Sequence, residues 1–229
     1  MPLARSLLVI AALSLAAIPP AGPAAAHSLD DVQNKLHEQE QYLEIVDRPA
    51  PGFTLADPDG KTVNLADLRG KVVVLNFIYA SCPDVCPLHS QRIAEIQAMI
   101  NRTPMRDLVQ FVSITTDPVR DTPEILREHG VAHGLDATNW VFLTSGPDRP
   151  EETRQLANRY GLKFTETPDG LQMHALVTHL IDREGRLRAR YHSLRFEPVN
   201  LVTHINALTN DHDHAPDAGS VWQKLRNLF

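Results

Sequence analysis

The sequence predicts an α/β fold with a mixed central β-sheet flanked by helices. An apolar, largely β-branched run covers residues 72–79, a second covers residues 109–115, and helical patterns follow each of them. Continuous apolar runs of this length are typical of strands that are buried on both faces. Strands that alternate with helices are typical of α/β domains.

The composition fits one globular domain and excludes several functional classes. The chain has 229 residues, is 43% hydrophobic and has a formal net charge of −6. Wholesale disorder is therefore excluded, and no basic surface points to nucleic acid. Two cysteines exclude a disulfide-rich scaffold and a four-cysteine zinc site. Together with 11 histidines, they are compatible with metal or redox chemistry.

Residues 1–26 have the features of a secretory signal peptide. Arg5 supplies a positive charge, residues 6–18 form an apolar run, and small alanines precede a cleavage point before His27. The run is shorter than the roughly 20 apolar residues that a membrane-spanning helix needs. We therefore expect an exported, periplasmic protein that is soluble after cleavage. The alternative is an uncleaved N-terminal membrane anchor.

The rest of the chain divides into three parts. Residues 27–48 are polar and acidic and predict a helical or loose lead-in, residues 49–209 have the pattern of a compact domain, and residues 210–229 form a separate tail. The domain opens with a strand–turn–strand pattern around Asp57-Pro58-Asp59-Gly60, followed by the strand at 72–79.

Each later element is predicted by its own pattern. Ile93, Ile96 and Ile100 recur at helical spacing, and Asp121-Thr122-Pro123-Glu124 is a helix-capping signature. Gly161 lies where a left-handed residue ends a helix. The remaining elements are strands at 109–115 and 140–144, a helix at 150–160, a hairpin of 175–181 with 186–191, and a last helix containing Leu201, Ile205 and Leu208.

Cys82 and Cys86 lie between the strand at 72–79 and the helix that follows it. Sites in α/β folds lie at this edge of the sheet. The partial positive charge of a helix N-terminus favours the thiolate, the form that attacks disulfides and binds metals. A spacing of four places both sulfurs on one face of a helical turn, where they can chelate a soft ion or form a disulfide. Inert packed cysteines are the alternative interpretation.

Several motifs resemble those of the Sco/SenC family. They are Cys82-Pro83-Asp84-Val85-Cys86-Pro87, the segments 53–57 and 70–79, and Asp117-Pro118-Val119-Arg120-Asp121-Thr122-Pro123. The resemblance covers residues 48–208 and implies a thioredoxin-like fold. It also implies a copper protein that serves assembly of the CuA centre of cytochrome c oxidase. The gap of three residues between the cysteines matters most, because ordinary thioredoxins have two.

The resemblance implies a third copper ligand at His174. In the family this histidine begins a strand that leads into a Leu-Ile-Asp hairpin turn, here Leu180-Ile181-Asp182. Many relatives have Asp before the histidine and Tyr five residues after it, where this chain has Met173 and His179. His179 is the fallback ligand, although an odd offset along one strand directs it away from His174.

Two thiolates and one imidazole suit copper. Cu(I) accepts this donor set, Cu(II) takes a further ligand, and structural zinc takes four protein ligands. The resemblance implies a copper chaperone that delivers to the CuA-bearing oxidase subunit. Because only reduced cysteines bind copper, we expect a thiol reductant protein as a second partner. A Cys82–Cys86 disulfide would stop binding, and we expect the chaperone itself to be a monomer.

Two other functions would use the same cysteines. A thiol–disulfide oxidoreductase would use Cys82 and Cys86 as its catalytic pair, one to attack and one to resolve the mixed disulfide, and would not need His174. A copper or redox sensor would report to a partner without delivering metal. Both functions stay open beside copper delivery.

Some polar residues near these motifs have two interpretations. Asp84 either orients a partner or caps the helix. Asp117, Arg120 and Asp121 either face a docking protein or form a turn cap with an internal ion pair, and the ion pair is favoured. We expect His89, one turn into the helix after the cysteines, to face solvent.

The tail carries two further patterns. Histidines and aspartates near its start can hold a divalent ion loosely, although a solvated tail is favoured. An apolar stripe near its end contacts either the membrane surface or, as favoured, the domain itself. The first pattern consists of His204, Asp211, His212, Asp213 and His214, and the second of Val221, Trp222, Leu225, Leu228 and Phe229.

Overall fold

The computed structural model describes residues 28–80, 85–166 and 172–211. The predicted signal peptide, Cys82 and Asp84, and the tail with His212, His214 and the apolar stripe all lie outside the described residues. Among the helices of the described ranges, none combines the length and the hydropathy that crossing a membrane requires.

The described ranges contain five α-helices and ten β-strands. The helices are α1 (Leu29–Gln39), α2 (Val85–Asn101), α3 (Pro123–Ala132), α4 (Pro150–Arg159) and α5 (Pro198–Asn210). The strands are β1 (Leu43–Pro49), β2 (Thr54–Ala56), β3 (Thr62–Asn64), β4 (Val72–Ile78), β5 (Val109–Thr115), β6 (Trp140–Leu143), β7 (Phe164–Glu166), β8 (Gln172–His174), β9 (Val177–Ile181) and β10 (Arg186–His192).

The central sheet has six strands in the order β1-β10-β9-β4-β5-β6. β4, β5 and β6 pair in parallel, whereas β9 pairs antiparallel with both β4 and β10, and β1 pairs antiparallel with β10. The prediction of a mixed sheet is confirmed. Every residue of β4 is buried, as expected for a central strand that is covered on both faces.

Helices and loops cover the two faces of this sheet with separate cores. On the first face, apolar residues of α1, α2, α3 and α5 pack on Val72, Val74 and Ile78 of β4. On the second face, apolar residues of α4 and of the β2–β3 region pack on the alternate residues of β4. The side chains of a strand alternate between faces, so each strand contributes to both cores.

The predicted lead-in is part of the fold. Its first half forms α1, which begins with a capping box between Ser28 and Asp31. Its second half forms β1, which pairs with β10 at the edge of the sheet. Only Leu43 of β1 is buried, so this edge strand lacks the apolar pattern that predicts a strand. The two-stranded sheet of β7 and β8 is a second element that the sequence pattern does not predict.

The turn of the β2–β3 hairpin is stabilised by a side-chain acceptor and by a glycine with positive φ. The Asp57 carboxylate accepts hydrogen bonds from the backbone N–H groups of Asp59 and Lys61, both at 2.9 Å. Gly60 has a φ of 81°, which is unfavourable for residues with a side chain. The predicted strand–turn–strand pattern is therefore confirmed, and it places this hairpin over the second face.

Candidate metal centre

The two cysteines lie where the central strand passes into helix α2. β4 ends at Ile78, residues 81–84 with Cys82 are outside the described residues, and Cys86 is the second residue of α2. The first backbone N–H groups of a helix have no partner within the helix, and together they favour a negative charge. The placement of Cys86 at a helix N-terminus is confirmed by the bounds of α2, and the expected thiolate stays a prediction.

A buried carboxylate fixes the strand end that precedes Cys82. Oδ2 of Asp121 accepts a hydrogen bond from the backbone N–H of Ala80 at 2.9 Å and another from the hydroxyl of Thr115 at 2.5 Å. The side chain of Asp121 is almost completely buried. Because Ala80 lies two residues before Cys82, Asp121 holds the point from which the cysteine segment departs.

The loop that contains Asp121 supports the second interpretation of its polar residues. Arg120 Nε forms an ion pair with Asp117 Oδ2, and the Thr122 hydroxyl caps α3 by accepting from the N–H of Ile125. The expected ion pair and helix cap are therefore present.

His174 lies on a different strand from the one the sequence analysis assumes. It is the last residue of β8, opposite Phe164 of β7, in a two-stranded sheet. β9, which carries His179, begins three residues later in the central sheet. The expectation that His174 and His179 share one strand is wrong, because the chain changes sheets between them. Alternation of side chains along one strand therefore does not determine the relative directions of His174 and His179.

The register of the central sheet shows which strand ends are next in the chain to Cys82 and His174. β4 and β9 run antiparallel, with Asn76 opposite Thr178 and Val73 opposite Ile181. The C-terminal end of β4, which leads to Cys82, therefore lies beside the N-terminal end of β9, which His174 precedes. Cys86 starts α2 at the same end. Within the described residues, the backbone thus places Cys86 and the start of the strand that follows His174 at the edge of the sheet where β4 ends.

His179 lies in the core of the second face. Its imidazole is completely buried, with Nδ1 3.3 Å from the Leu75 carbonyl oxygen and Nε2 3.4 Å from that of Tyr160. Burial lowers the pKa of His179 to about 3, so the ring is neutral at pH 7. Phe77 contacts its ring edge-on. Both ring nitrogens face backbone groups inside the core, which makes the fallback ligand the weaker candidate.

His89 does not face solvent, which corrects the expectation for this residue. Its side chain is almost completely buried between α2 and the first face of the sheet, and Nε2 lies 2.9 Å from the Thr178 hydroxyl. The residue after it, Ser90, is also buried and has its hydroxyl 2.8 Å from His129 Nε2. No sequence pattern marks Thr178 or His129 as partners, because both contacts join residues distant in the chain.

His204 is likewise a core residue and not part of a metal-binding tail. It lies in α5 on the first face, with Nε2 3.1 Å from the Gln33 side-chain nitrogen and Nδ1 3.0 Å from the Tyr191 hydroxyl. Burial lowers the pKa of His204 to about 3. The grouping of His204 with His212 and His214 is therefore wrong, because its ring nitrogens are used within the domain.

Comparison with known proteins identifies the family. The family model described as SCO1/SenC matches residues 38–210, which is most of the chain. The chain belongs to the SCO1/SenC family. The match to the family model begins ten residues before the segment 48–208, which carries the motifs, and it includes β1. This agrees with the pairing of β1 in the central sheet.

Individual family members agree in sequence and fold. The SCO1 protein homologue of Bacillus subtilis is 26% identical over 152 residues, which are 66% of this chain and 77% of that protein. Bradyrhizobium japonicum ScoI, solved with copper bound, is 29% identical with a TM-score of 0.57, over 70% of this chain and 99% of that one.

A second solved structure matches the fold more closely at lower identity. BsSco, described as a member of the Sco family of cytochrome c oxidase assembly proteins and as containing a disulfide switch, has a TM-score of 0.64. It is 22% identical, and the match covers 73% of this chain and 96% of that one. The thioredoxin-like fold implied by the resemblance is confirmed for this Sco/SenC family member.

Proposed function

We propose that this protein binds copper through Cys82, Cys86 and His174 and delivers it during assembly of cytochrome c oxidase. The observation that supports the proposal is the antiparallel register of β4 and β9, in which the strand end before Cys82 lies beside the start of the strand that follows His174. The copper-bound ScoI structure of a related family member supports copper as the metal.

The donor set explains why such a protein would be a carrier. Two thiolates and one imidazole satisfy Cu(I) in a three-coordinate site, whereas structural zinc takes four protein ligands. A site with three protein ligands leaves one side open, through which a ligand of the acceptor can take over the metal. We propose the CuA-bearing oxidase subunit as this acceptor.

Thiol chemistry determines when the site is active. Copper binding needs both cysteines reduced, and oxidation to a Cys82–Cys86 disulfide would remove two of the three ligands. We therefore include a thiol reductant protein as a partner, together with export to the periplasm, where disulfides form. The mass of the protein recovered from the periplasmic fraction tests export, since cleavage before His27 removes 26 residues.

The binding proposal is tested with the purified, reduced protein. Cu(I) affinity is measured by competition with a chromogenic chelator, and Cu(II) binding by the sulfur-to-copper charge-transfer absorption. We expect one equivalent of copper, abolished by Cys82→Ser or Cys86→Ser and weakened strongly by His174→Ala. His179→Phe is the matched control and should leave the copper affinity unchanged. A dominant effect of His179→Phe would overturn the assignment of His174.

Delivery is separated from thiol reduction by a second measurement. The copper-loaded protein is mixed with the reduced soluble domain of the CuA-bearing subunit, and formation of CuA absorption is followed. In parallel, the reduced copper-free protein is mixed with the oxidised domain, and its thiols are counted. We expect His174→Ala to abolish transfer. If His174→Ala transfers copper normally, the assignment of His174 as a ligand fails. If the unsubstituted protein transfers no copper and only thiol reduction is observed, the delivery proposal fails and the oxidoreductase function replaces it.

A further inference from the structure

His89 connects the two parts of the chain that carry the proposed ligands. It lies in α2 only three residues after Cys86 and is buried, with Nε2 2.9 Å from the hydroxyl of Thr178. Thr178 is completely buried in β9, four residues after His174. One side-chain hydrogen bond therefore joins the first turns of the cysteine-bearing helix to the strand that follows His174.

Thr178 is a fixed point in the sheet. Its backbone lies opposite Asn76 of β4 on one side and opposite Tyr191 of β10 on the other. A strand that pairs on both sides cannot shift without breaking two ladders of hydrogen bonds. The hydrogen bond between His89 and Thr178 therefore fixes α2 relative to the centre of the sheet. A substitution that removes this bond would allow α2 to move.

Ser90 provides a comparison on the same turn of α2. Its hydroxyl lies 2.8 Å from His129 Nε2, and both side chains are buried. This contact joins α2 to α3, which carries none of the proposed ligands. The two contacts are similar in burial and in length, but only that of His89 connects Cys86 with the strand after His174.

We propose that His89 is a positioning residue of the copper site, whose hydrogen bond to Thr178 sets the separation of Cys86 and His174. This inference rests on the proposed function. We assign His89 this role and not that of a ligand because its Nε2 is directed to Thr178 inside the core. A three-coordinate site depends on the distance between its ligands, so a shift of α2 weakens copper binding even when all three ligands are present.

The test compares substitutions at His89 with the matched substitution at Ser90. His89→Leu removes the hydrogen bond, and we expect Cu(I) affinity to fall by about tenfold, the lower end of the effect of residues that support metal ligands. His89→Gln places an amide nitrogen near the position of Nε2 and should restore affinity, whereas the shorter His89→Asn should not. Ser90→Ala should change the affinity less than twofold while lowering the free energy of unfolding.

Thr178→Val checks the other partner of the same bond. It keeps the shape of the side chain, and we expect the same loss of affinity as for His89→Leu, with no further loss in the double variant. All affinities are measured on protein shown to be folded by circular dichroism. The energy of the Cu(II) charge-transfer band is a second readout, which should shift in His89→Leu and return in His89→Gln.

The outcomes separate this inference from the function on which it rests. Full copper affinity in His89→Leu, or equal losses in His89→Leu and Ser90→Ala, would overturn the positioning role and leave the copper site intact. Copper binding that is absent from the unsubstituted protein would overturn the proposed function, and the role of His89 with it.

Discussion

Both faces of the central sheet are buried, yet they are held by different contacts. On the first face, hydrogen bonds between buried side chains accompany the apolar packing, as in His89–Thr178, Ser90–His129 and His204–Tyr191. The second face is packed mainly by apolar and aromatic side chains, with Phe77 contacting the ring of Tyr160 at 5.6 Å between centroids.

The two kinds of contact have different consequences: apolar packing stabilises the fold, and hydrogen bonds fix where a helix lies against the sheet. Apolar burial is proportional to area and is not directional, so it favours a compact state without fixing a helix to within a fraction of an ångström. Hydrogen bonds have narrow ranges of distance and angle. We infer that the first face, which holds α2 and Cys86, sets the geometry of the metal site, while the second face contributes stability alone.

Phe77→Ala should have the largest effect on stability and little effect on copper. The substitution removes a fully buried ring from the second face and should lower the free energy of unfolding by about 3–5 kcal/mol. Cu(I) affinity of the folded protein should change less than twofold. Urea unfolding and chelator competition measure the two quantities. A tenfold loss of affinity in Phe77→Ala would end the distinction between the faces.

Asp121→Ala should lower both stability and copper affinity. It leaves the part-buried N–H of Ala80 and the buried hydroxyl of Thr115 without the acceptor that the carboxylate provides, which should cost about 2–4 kcal/mol for the two groups. The strand end before Cys82 also loses its anchor, so Cu(I) affinity should fall, unlike in Phe77→Ala.

Asp121→Asn is the control for this effect, measured by the same unfolding and competition experiments. Its carboxamide oxygen can accept both hydrogen bonds without the negative charge, and we expect affinity close to that of the unsubstituted protein. An Asn variant as impaired as the Ala variant would show that the charge of Asp121, and not its role as an acceptor, supports the site.

The sequence predicts the second-face and central elements well, because their signals are local. The buried runs become β4 and β5, and the turn at Asp57-Pro58-Asp59-Gly60 joins β2 to β3, close to the predicted positions. β1 is not predicted, since an edge strand with one buried residue has no apolar alternation. The family motifs identify the cysteine segment, and the register of β4 with β9 places the strand end before Cys82 beside the start of the strand that follows His174.

What the sequence does not predict is which histidines are buried. His89, His179 and His204 all occur in segments where a polar side chain is compatible with an exposed position, and each one is buried. Their partners are distant in the chain: Thr178 is 89 residues from His89, and Gln33 is 171 residues from His204. Such contacts depend on how the elements pack, and no local pattern encodes them.

His204→Phe and His179→Phe should differ at pH 7, although both remove a buried imidazole. On the first face, His204→Phe leaves the Gln33 amide and the Tyr191 hydroxyl without their partner, at a cost of about 2 kcal/mol or more. On the second face, His179 makes only long contacts, 3.3 and 3.4 Å, to carbonyl oxygens, so His179→Phe should cost less than about 1.5 kcal/mol. Urea unfolding at pH 7 measures both, and equal costs would contradict the contrast between the faces.

Acid should lower the stability of the protein to the same extent through each of these two histidines. Desolvation is the main cause of the low pKa, about 3, of both His179 and His204. Each ring stays neutral in the folded protein but is protonated in the unfolded chain below about 6.5, so unfolding takes up protons and stability falls as the pH drops from 6.5 towards 3. Each histidine should contribute a slope of about 1.4 kcal/mol per pH unit in the lower part of this range.

The two Phe variants isolate these slopes. On unfolding in acid, each single Phe variant should take up one proton fewer than the unsubstituted protein, and the double variant two fewer. The slope of the free energy of unfolding against pH should fall accordingly, as measured by urea unfolding between pH 7 and pH 4. If only one of the two Phe variants changes the slope of the free energy of unfolding against pH, then hydrogen bonding, and not desolvation, controls the protonation of His179 and His204. The first face, where His204 has polar side-chain partners, would then differ from the second in its response to acid as well as in its geometry.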